Sequence, residues 1–482
     1  MYSSACRLAA KPARFGRVNR RAACVVLSAL ASAAAARADG DSSGDLERMR
    51  GAFRLGPSMA ADDAWWMTAR AFTNMDTMDG VRSVFGGGEN AEGGGFSWST
   101  PRRGPISNPD AAGAFDSPLQ PLVNPVRNGL AALRDVGIRA DVYEALTFGA
   151  ASDTIAGSRS SFGTGRFNAR IDVLLFREEG EGIRRFTAQV RQNNFWPGDE
   201  GDISASTGSS VYLNALRGFY DTSITRCSYA QSFADDRVVV TAGKINPGDF
   251  SALNIFASDE ATQFMGLIFD GNDALPVPYL SYTPGVAVQA LALDWLYLSG
   301  IVGSADGATD TGLDVDLERG MFAAAEASVL FEWLGMPGRV GATWVGSTVG
   351  SAELADPALP EIWGNALFVC GQYFVVEHVG VWAQYAASDE DVAALTQSEL
   401  AFGVTVDDCF GRKGDGCGLA AGWAKPIDPA VQGEQFMIES YYRLQATGLS
   451  QVSLDVQMLA PSASSEVDDP ALVGTLRWVV RF

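Results

Sequence analysis

Histidine is nearly missing: the 482-residue chain has a single one, His378, beside 36 Lys+Arg and 57 Asp+Glu. That scarcity excludes a His-rich zinc site and leaves multi-histidine acid–base chemistry without its parts. Basic residues are the minority charge, and a net charge of −21 repels phosphate backbones, so no nucleic-acid partner is expected. Cysteine is sparse, with 6 residues and no Cys-x-x-Cys pair, so no metal or other cofactor is expected. Long hydrophobic runs are also wanting. The stretch Val286–Val302 holds Gln289 and Asp294, spans 17 residues and divides into two strands near Asp294. Yet 47% of the residues are hydrophobic, too many for a disordered chain, while the mean hydropathy of +0.04 is far below that of a helical membrane bundle. A transmembrane β-barrel fits that gap, because its apolar residues alternate with polar ones and the average conceals them.

The N-terminus reads as an export signal. Arg7, Lys11, Arg14, Arg17, Arg20 and Arg21 occur with no acid in the first 21 residues, and Ala22–Ala36 is uncharged and small or apolar. Ala36-Arg37-Ala38 then closes the run, which predicts a signal peptide over residues 1–38 and a mature chain starting at Asp39. Losing seven basic residues and no acid would take the charge from −21 to −28. Residues 39–128 are rich in Gly and Pro and are expected to be poorly ordered or to form short helices. Four cysteines follow, and two of them, Cys409 and Cys417, flank the turn-forming stretch Phe410–Gly416. A disulfide and two free thiols both fit that spacing.

From residue 129 to 482 the texture becomes period-two. In Phe167–Leu175 the residues Phe167, Ala169, Ile171, Val173 and Leu175 oppose Asn168, Arg170 and Asp172. Val452–Met458 alternates in the same way, and in Leu472–Phe482 the apolar set opposes Thr475, Arg477 and Arg481. Counting comparable runs, Val211–Tyr220 among them, predicts an all-β transmembrane antiparallel β-barrel of about 16 strands. A soluble β-sandwich or propeller also alternates. Aromatic residues near strand ends, Trp344, Trp363, Trp478 and Phe482, favour the membrane. The terminal Phe482, in register with the apolar face, is the expected signal for the barrel assembly machinery, with outer-membrane lipid as the surrounding partner.

Several short motifs carry a family resemblance. They run from Leu130-Ala-Ala-Leu-Arg-Asp-Val-Gly-Ile-Arg-Ala-Asp-Val-Tyr143 through Ala242-Gly-Lys-Ile-Asn-Pro-Gly-Asp-Phe250, Phe256-Ala-Ser-Asp259 and Leu275–Val286. They end in Glu439-Ser-Tyr-Tyr-Arg-Leu-Gln-Ala-Thr447 and Leu454-Asp-Val-Gln457. In order and spacing these resemble the OprB-type carbohydrate-selective porins of Gram-negative outer membranes, over about residues 130–482. The resemblance implies a sixteen-stranded barrel passing sugars by diffusion. One departure is Met458-Leu-Ala-Pro461, where the family ends its penultimate strand in asparagine-proline.

A channel of this kind needs no catalytic residues, only a wet lumen, a constriction and groups that replace part of a solute's hydration. The residues opposite the apolar faces are the candidates for lining it: Arg139, Asp141, Arg170, Asp172, Arg185, Arg191, Glu326, Glu439, Arg443 and Asp455. Arg forks and carboxylates each engage two oxygens, which suits vicinal hydroxyls. Tyr143, Trp382 and Tyr441 would offer flat faces to sugar C–H groups. Trp196 in the stretch Asn194–Ser210, and Phe250, Phe256, Asp259 and Glu260 in Asn246–Pro284, are expected to form the constriction, because stretches of that length in a compact barrel are usually functional or external. A general-diffusion, cation-leaning porin and a structural or enzymatic outer-membrane barrel are the alternatives. The latter must find its base with one histidine.

Overall fold

In a computed structural model the described residues are 53–55, 125, 129, 133, 138–176, 184–195, 203–217, 222–234, 237–270, 273–305, 319–356, 358–376, 378–412, 414–427, 433–447, 449–460 and 470–481. The expected signal peptide, nearly all of segment 39–128, Trp196 and Phe482 lie outside them. So does the side chain of Arg139.

Sixteen long strands follow one another in sequence. They are β1 Ile138–Ala151, β2 Ser161–Phe176, β3 Arg184–Phe195, β4 Thr222–Phe233, β5 Val238–Ile245, β6 Thr283–Leu293, β7 Leu296–Ser304 and β8 Met321–Trp333. The second half comprises β9 Met336–Ser347, β10 Gly364–Val376, β11 Val379–Ser388, β12 Thr396–Asp407, β13 Gly416–Pro426, β14 Gln435–Thr447, β15 Ser450–Ala460 and β16 Ala471–Arg481. Each pairs antiparallel with its neighbours, and β16 closes on β1 in a register running from Val473–Ala151 to Arg481–Tyr143. The expected all-β, sixteen-stranded barrel is therefore observed. Closure leaves no edge strand, which is what allows strands to sit in lipid.

Alternation assigns the two faces. In β16, Val473, Thr475, Arg477 and Val479 are buried inside, while Leu472, Leu476 and Trp478 are nearly half exposed outside. The outer belt continues through Ile171, Val190, Val302, Phe402, Leu419 and Leu454. Aromatic residues gather near strand ends. Tyr373 donates its hydroxyl to the Trp333 carbonyl at 2.7 Å and stacks on Phe331, and Trp344 lies 6.4 Å from Trp363.

One end of the barrel carries tight turns and both barrel termini. The turn between β8 and β9 is two residues, Leu334 and Gly335, at φ 54° and 75°, the pairing of positive angles that matches the twist of a hairpin. The other end carries the long connections.

The expected strand Val211–Tyr220 is not a strand over its described residues, 211–217. Residues 203–217 form a short helix, α1 Ile203–Thr207, and irregular chain inside the barrel, where Val211, Leu213 and Leu216 are each 1% exposed. Burial on all sides, not membership of a sheet, made that segment apolar. The fourth strand lies further on, at Thr222–Phe233, with an inner face of Ser223, Thr225, Arg226 and Ser228. Its alternation breaks at Thr225, a bulge that leaves Arg226 opposite Gln189 and Ile224 opposite Val190.

Candidate functional site

The inner wall is polar because alternation turns every second residue of each strand into the lumen. Asp141 and Tyr143 on β1, Arg170 and Asp172 on β2, Arg185 and Arg191 on β3 and Glu326 on β8 all take that side. Trp382 on β11, Glu439, Tyr441 and Arg443 on β14 and Asp455 on β15 do so as well. Arg139 occupies the matching position on β1, opposite Asp172 in the register.

Most of these groups do not face open water. The connection from β5 to β6 turns inward and packs against the wall, carrying a 3-10 turn at Pro247–Asp249 and helix α2 at Leu267–Asp270. Its Phe264, Ile268 and Phe269 are fully buried, and Phe256 packs edge-on against Phe374 of β10 at 4.9 Å. Irregular backbone inside a barrel needs partners for every N–H and C=O. The wall supplies them. Glu439 accepts from the backbone N–H groups of Met265 at 2.5 Å and Gly266 at 2.9 Å, and Glu326 accepts from Ala252 N–H at 2.8 Å. Gln372 accepts from Ile255 N–H and donates to the Leu253 carbonyl, and Gln384 accepts from Asn254 and donates to the Ile268 carbonyl. Arg443 donates to the Thr262 carbonyl, and Arg477 to the Glu260 and Gln263 carbonyls.

Charged side chains complete the attachment. Arg226 holds Asp249, and Arg166 holds Glu260, with Arg191 at 3.9 Å from the same carboxylate. Within the wall, Arg339 pairs with Glu326, Arg477 with Asp455, Arg481 with Asp141, and both Arg170 and Arg185 approach Asp172. The guanidinium groups of Arg191 and Arg226 lie over the ring of Tyr282 at 5.2 and 5.7 Å. Asp259 is spent locally, accepting from Ala261 N–H and the Thr262 hydroxyl. In the same loop, burial pushes the Tyr279 phenol above its ordinary range, so it stays a neutral donor to Ser251.

Among the aromatic candidates, Trp382 and Tyr441 are covered. Phe264 of the loop sits 5.9 Å from the one and 5.0 Å from the other. Phe250 lies at the loop's start, its carbonyl accepting from Tyr297 at 2.8 Å. Tyr143, Arg191, Asp259, Glu260, Thr262 and Arg481 come together around a small open space. That cluster joins the wall to the tip of the loop. Arg166, Arg226, Arg339, Arg477 and Arg481 are as central as the residues expected from sequence. Strand parity marks Arg477 and Arg481, but Arg226 sits beside the bulge in the strand that was not foreseen. Cys409 and Cys417 are joined by a disulfide across the β12–β13 turn.

A closed sixteen-stranded barrel with an apolar belt, a charged inner wall and a connection folded into the lumen is the architecture of a porin. Residues 182–340, about a third of the chain, match the family model "Carbohydrate-selective porin, OprB family". Among solved structures, the chain is similar to OprB of Pseudomonas putida at high pH, with 15% identity and a TM-score of 0.60, over 73% of this chain and 96% of that one. The low-pH form of the same protein aligns at 12% identity with a TM-score of 0.47, over 74% and 96%. An engineered variant of Rh. blastica porin aligns at 13% and 0.46, over 72% and 100%. No curated protein sequence matches the chain.

Proposed function

We propose that the chain is an outer-membrane porin through which carbohydrates diffuse passively. The observation that carries this reading is the β5–β6 connection, which folds into the lumen of a sixteen-stranded barrel and meets the wall beside arginines, carboxylates and a tyrosine. Groups that each engage two oxygens can replace the hydration of vicinal hydroxyls, and a passage bearing both signs disfavours solutes of one sign. The family match over residues 182–340 supports sugars as the solutes. Porins are not enzymes, and the channel needs no catalytic base.

The finer features follow the same reading. Residues 1–38 are the export signal, residues 39–128 an extension and 129–482 the barrel. Phe482 is the residue read by the assembly machinery, and lipid covers the belt. Deleting Phe482 is expected to lower the folded, heat-modifiable fraction in outer membranes without changing the flux of the molecules that do insert.

The decisive experiment is reconstitution into liposomes and planar bilayers. Swelling rates for mono- and disaccharides are expected to fall with size and to exceed those of charged solutes of similar size, with no energy source. A preparation of folded protein without pore activity overturns the channel. Conductance with no sugar preference makes it a general-diffusion porin, whose ionic current the overall acidity would bias toward cations.

A further inference from the structure

Tyr282 is the last residue of the inward connection, half-buried and next to Thr283, where β6 begins. Two guanidinium groups share its ring: that of Arg191 on β3 lies 5.2 Å from the centroid and that of Arg226 on β4 lies 5.7 Å away. Both distances fall within about 6 Å, the reach of cation–π attraction. Among the described residues the Tyr282 hydroxyl has no hydrogen-bond partner, so the ring is what the two arginines use. Two like charges on one ring repel each other, and each is offset by a carboxylate of the same loop. Arg226 forks onto Asp249 and also donates to Gln189, whose amide donates in turn to Asn168. Its place is fixed from several sides. Arg191 is held differently. Its Nη2 stands 3.9 Å from Glu260 Oε1, beyond the length of a hydrogen bond, and Arg166 grips that same oxygen directly. One path therefore runs from the head of the loop through its tail to its tip: Asp249, Arg226, Tyr282, Arg191, Glu260. Arg191 is the member that also borders the open space beside Tyr143 and Arg481.

We propose that Tyr282 is a positioning residue that sets solute preference, by holding Arg191 off Glu260 so that its guanidinium stays at that open space. The proposal rests on the reading of the chain as a sugar channel. Coulomb attraction draws Arg191 toward the Glu260 carboxylate, and the ring competes for the same guanidinium. Without the ring, Arg191 closes on Glu260, its charge is cancelled and its N–H fork is used up. A sugar in the lumen then loses a pair of donors suited to vicinal hydroxyls, and the lumen loses a positive charge. Arg226 cannot take over, because its own fork is spent on Asp249.

The test compares variants of the full-length protein in liposomes and planar bilayers, with the heat-modifiable fraction as the check on folding. Tyr282→Leu and Tyr282→Met keep bulk without a π face, Tyr282→Phe keeps the ring without the hydroxyl, and Arg191→Gln removes the guanidinium. Two quantities are read: the reversal potential, and the flux of glucose relative to tetraethylene glycol, a neutral solute of matched size with no vicinal hydroxyls. Either ring-less variant is expected to shift the reversal potential toward cations and to lower the flux ratio about threefold, the scale of one cation–π contact. Tyr282→Phe is expected to keep the parent's values, and Arg191→Gln to reproduce the ring-less ones. The double variant Tyr282→Leu/Arg191→Gln should be no worse than Arg191→Gln alone, because the one residue acts through the other. Ring-less variants that match the parent, a phenylalanine variant as impaired as the leucine one, or losses that add in the double variant would each overturn the role of Tyr282 while leaving the channel intact. A folded parent without pore activity would instead sink the channel reading, and this proposal with it.

Discussion

Arg226 and Asp249 meet through two parallel bonds, Nε to Oδ2 and Nη2 to Oδ1, each 2.7 Å long. This fork joins the wall strand β4 to the first turn of the inward loop. Removing one partner of a buried charge-assisted pair costs about 1–3 kcal/mol, because the other is left desolvated. Asp249→Asn keeps the shape and removes the charge, so it should loosen the head of the loop without unfolding the barrel. Single-channel records of the variant should show added open-state noise. Traces indistinguishable from those of the parent would show that the pair does not hold the loop.

Glu439 grips the middle of the same loop. Its carboxylate accepts two consecutive backbone N–H groups and the side-chain amide of Gln457 at 2.8 Å. Glu439→Leu leaves those N–H groups without acceptors, at about 1–3 kcal/mol for each one that stays buried. We expect a larger mean conductance and weaker discrimination between monosaccharides and disaccharides. Glu439→Gln, which keeps one acceptor oxygen, should fall between the two. Liposome swelling with a size series of sugars checks the order, and equal discrimination in all three proteins would count against an anchoring role.

Strand parity was legible in the sequence wherever one face meets lipid and the other the lumen. Phe167–Leu175 and Val452–Met458 lie within β2 and β15 as the alternation implies. It failed where both sides of a segment are buried, as at Val211 and Leu213, and where the inner face is Ser, Thr and Arg beside a bulge, as in β4. For the site, parity tells which way a side chain points and not what lies over it. Trp382 and Tyr441 point inward, yet Phe264 covers them. The partners that decide this are far apart in sequence. Glu260 meets Arg166 across 94 positions and Glu439 meets Met265 across 174, so no local pattern announces them.

Gly380 of β11 marks another contact between loop and wall. A Cβ at this position would collide with the ring of Phe256, whose edge also meets Phe374. Gly380→Val should therefore push the aromatic side chain off the wall while leaving the ladder bonds of β11 in place. The expected cost is about 1–3 kcal/mol, as for other overpacked cores. Because the loop and not the barrel must give, a changed pore should appear with little change in the heat-modifiable fraction. Limited proteolysis from the long-loop side is expected to cut the 246–282 segment faster. A cleavage rate equal to the parent's would mean that the ring rearranges without moving the backbone.

The disulfide between Cys409 and Cys417 ties a turn whose residues are already bound to one another. Asp415 is fully buried there, accepting from the Tyr442 hydroxyl at 2.5 Å, Arg412 Nε at 2.9 Å and the Gln445 backbone N–H at 2.8 Å. With a sequence separation of 8, the loop it closes is short, and the loss of unfolded-chain entropy is worth roughly 2–3 kcal/mol. The staple sits at the short-turn end of the barrel, whereas the inward loop enters from the other end. Replacing both cysteines by serine should therefore lower the temperature at which the folded band converts to the unfolded one on electrophoresis, and leave sugar flux as it was. The Asp415 bonds should keep the turn folded at ordinary temperature. An unchanged conversion temperature would show that those bonds alone fix the turn, and an altered flux would show that the turn reaches the lumen.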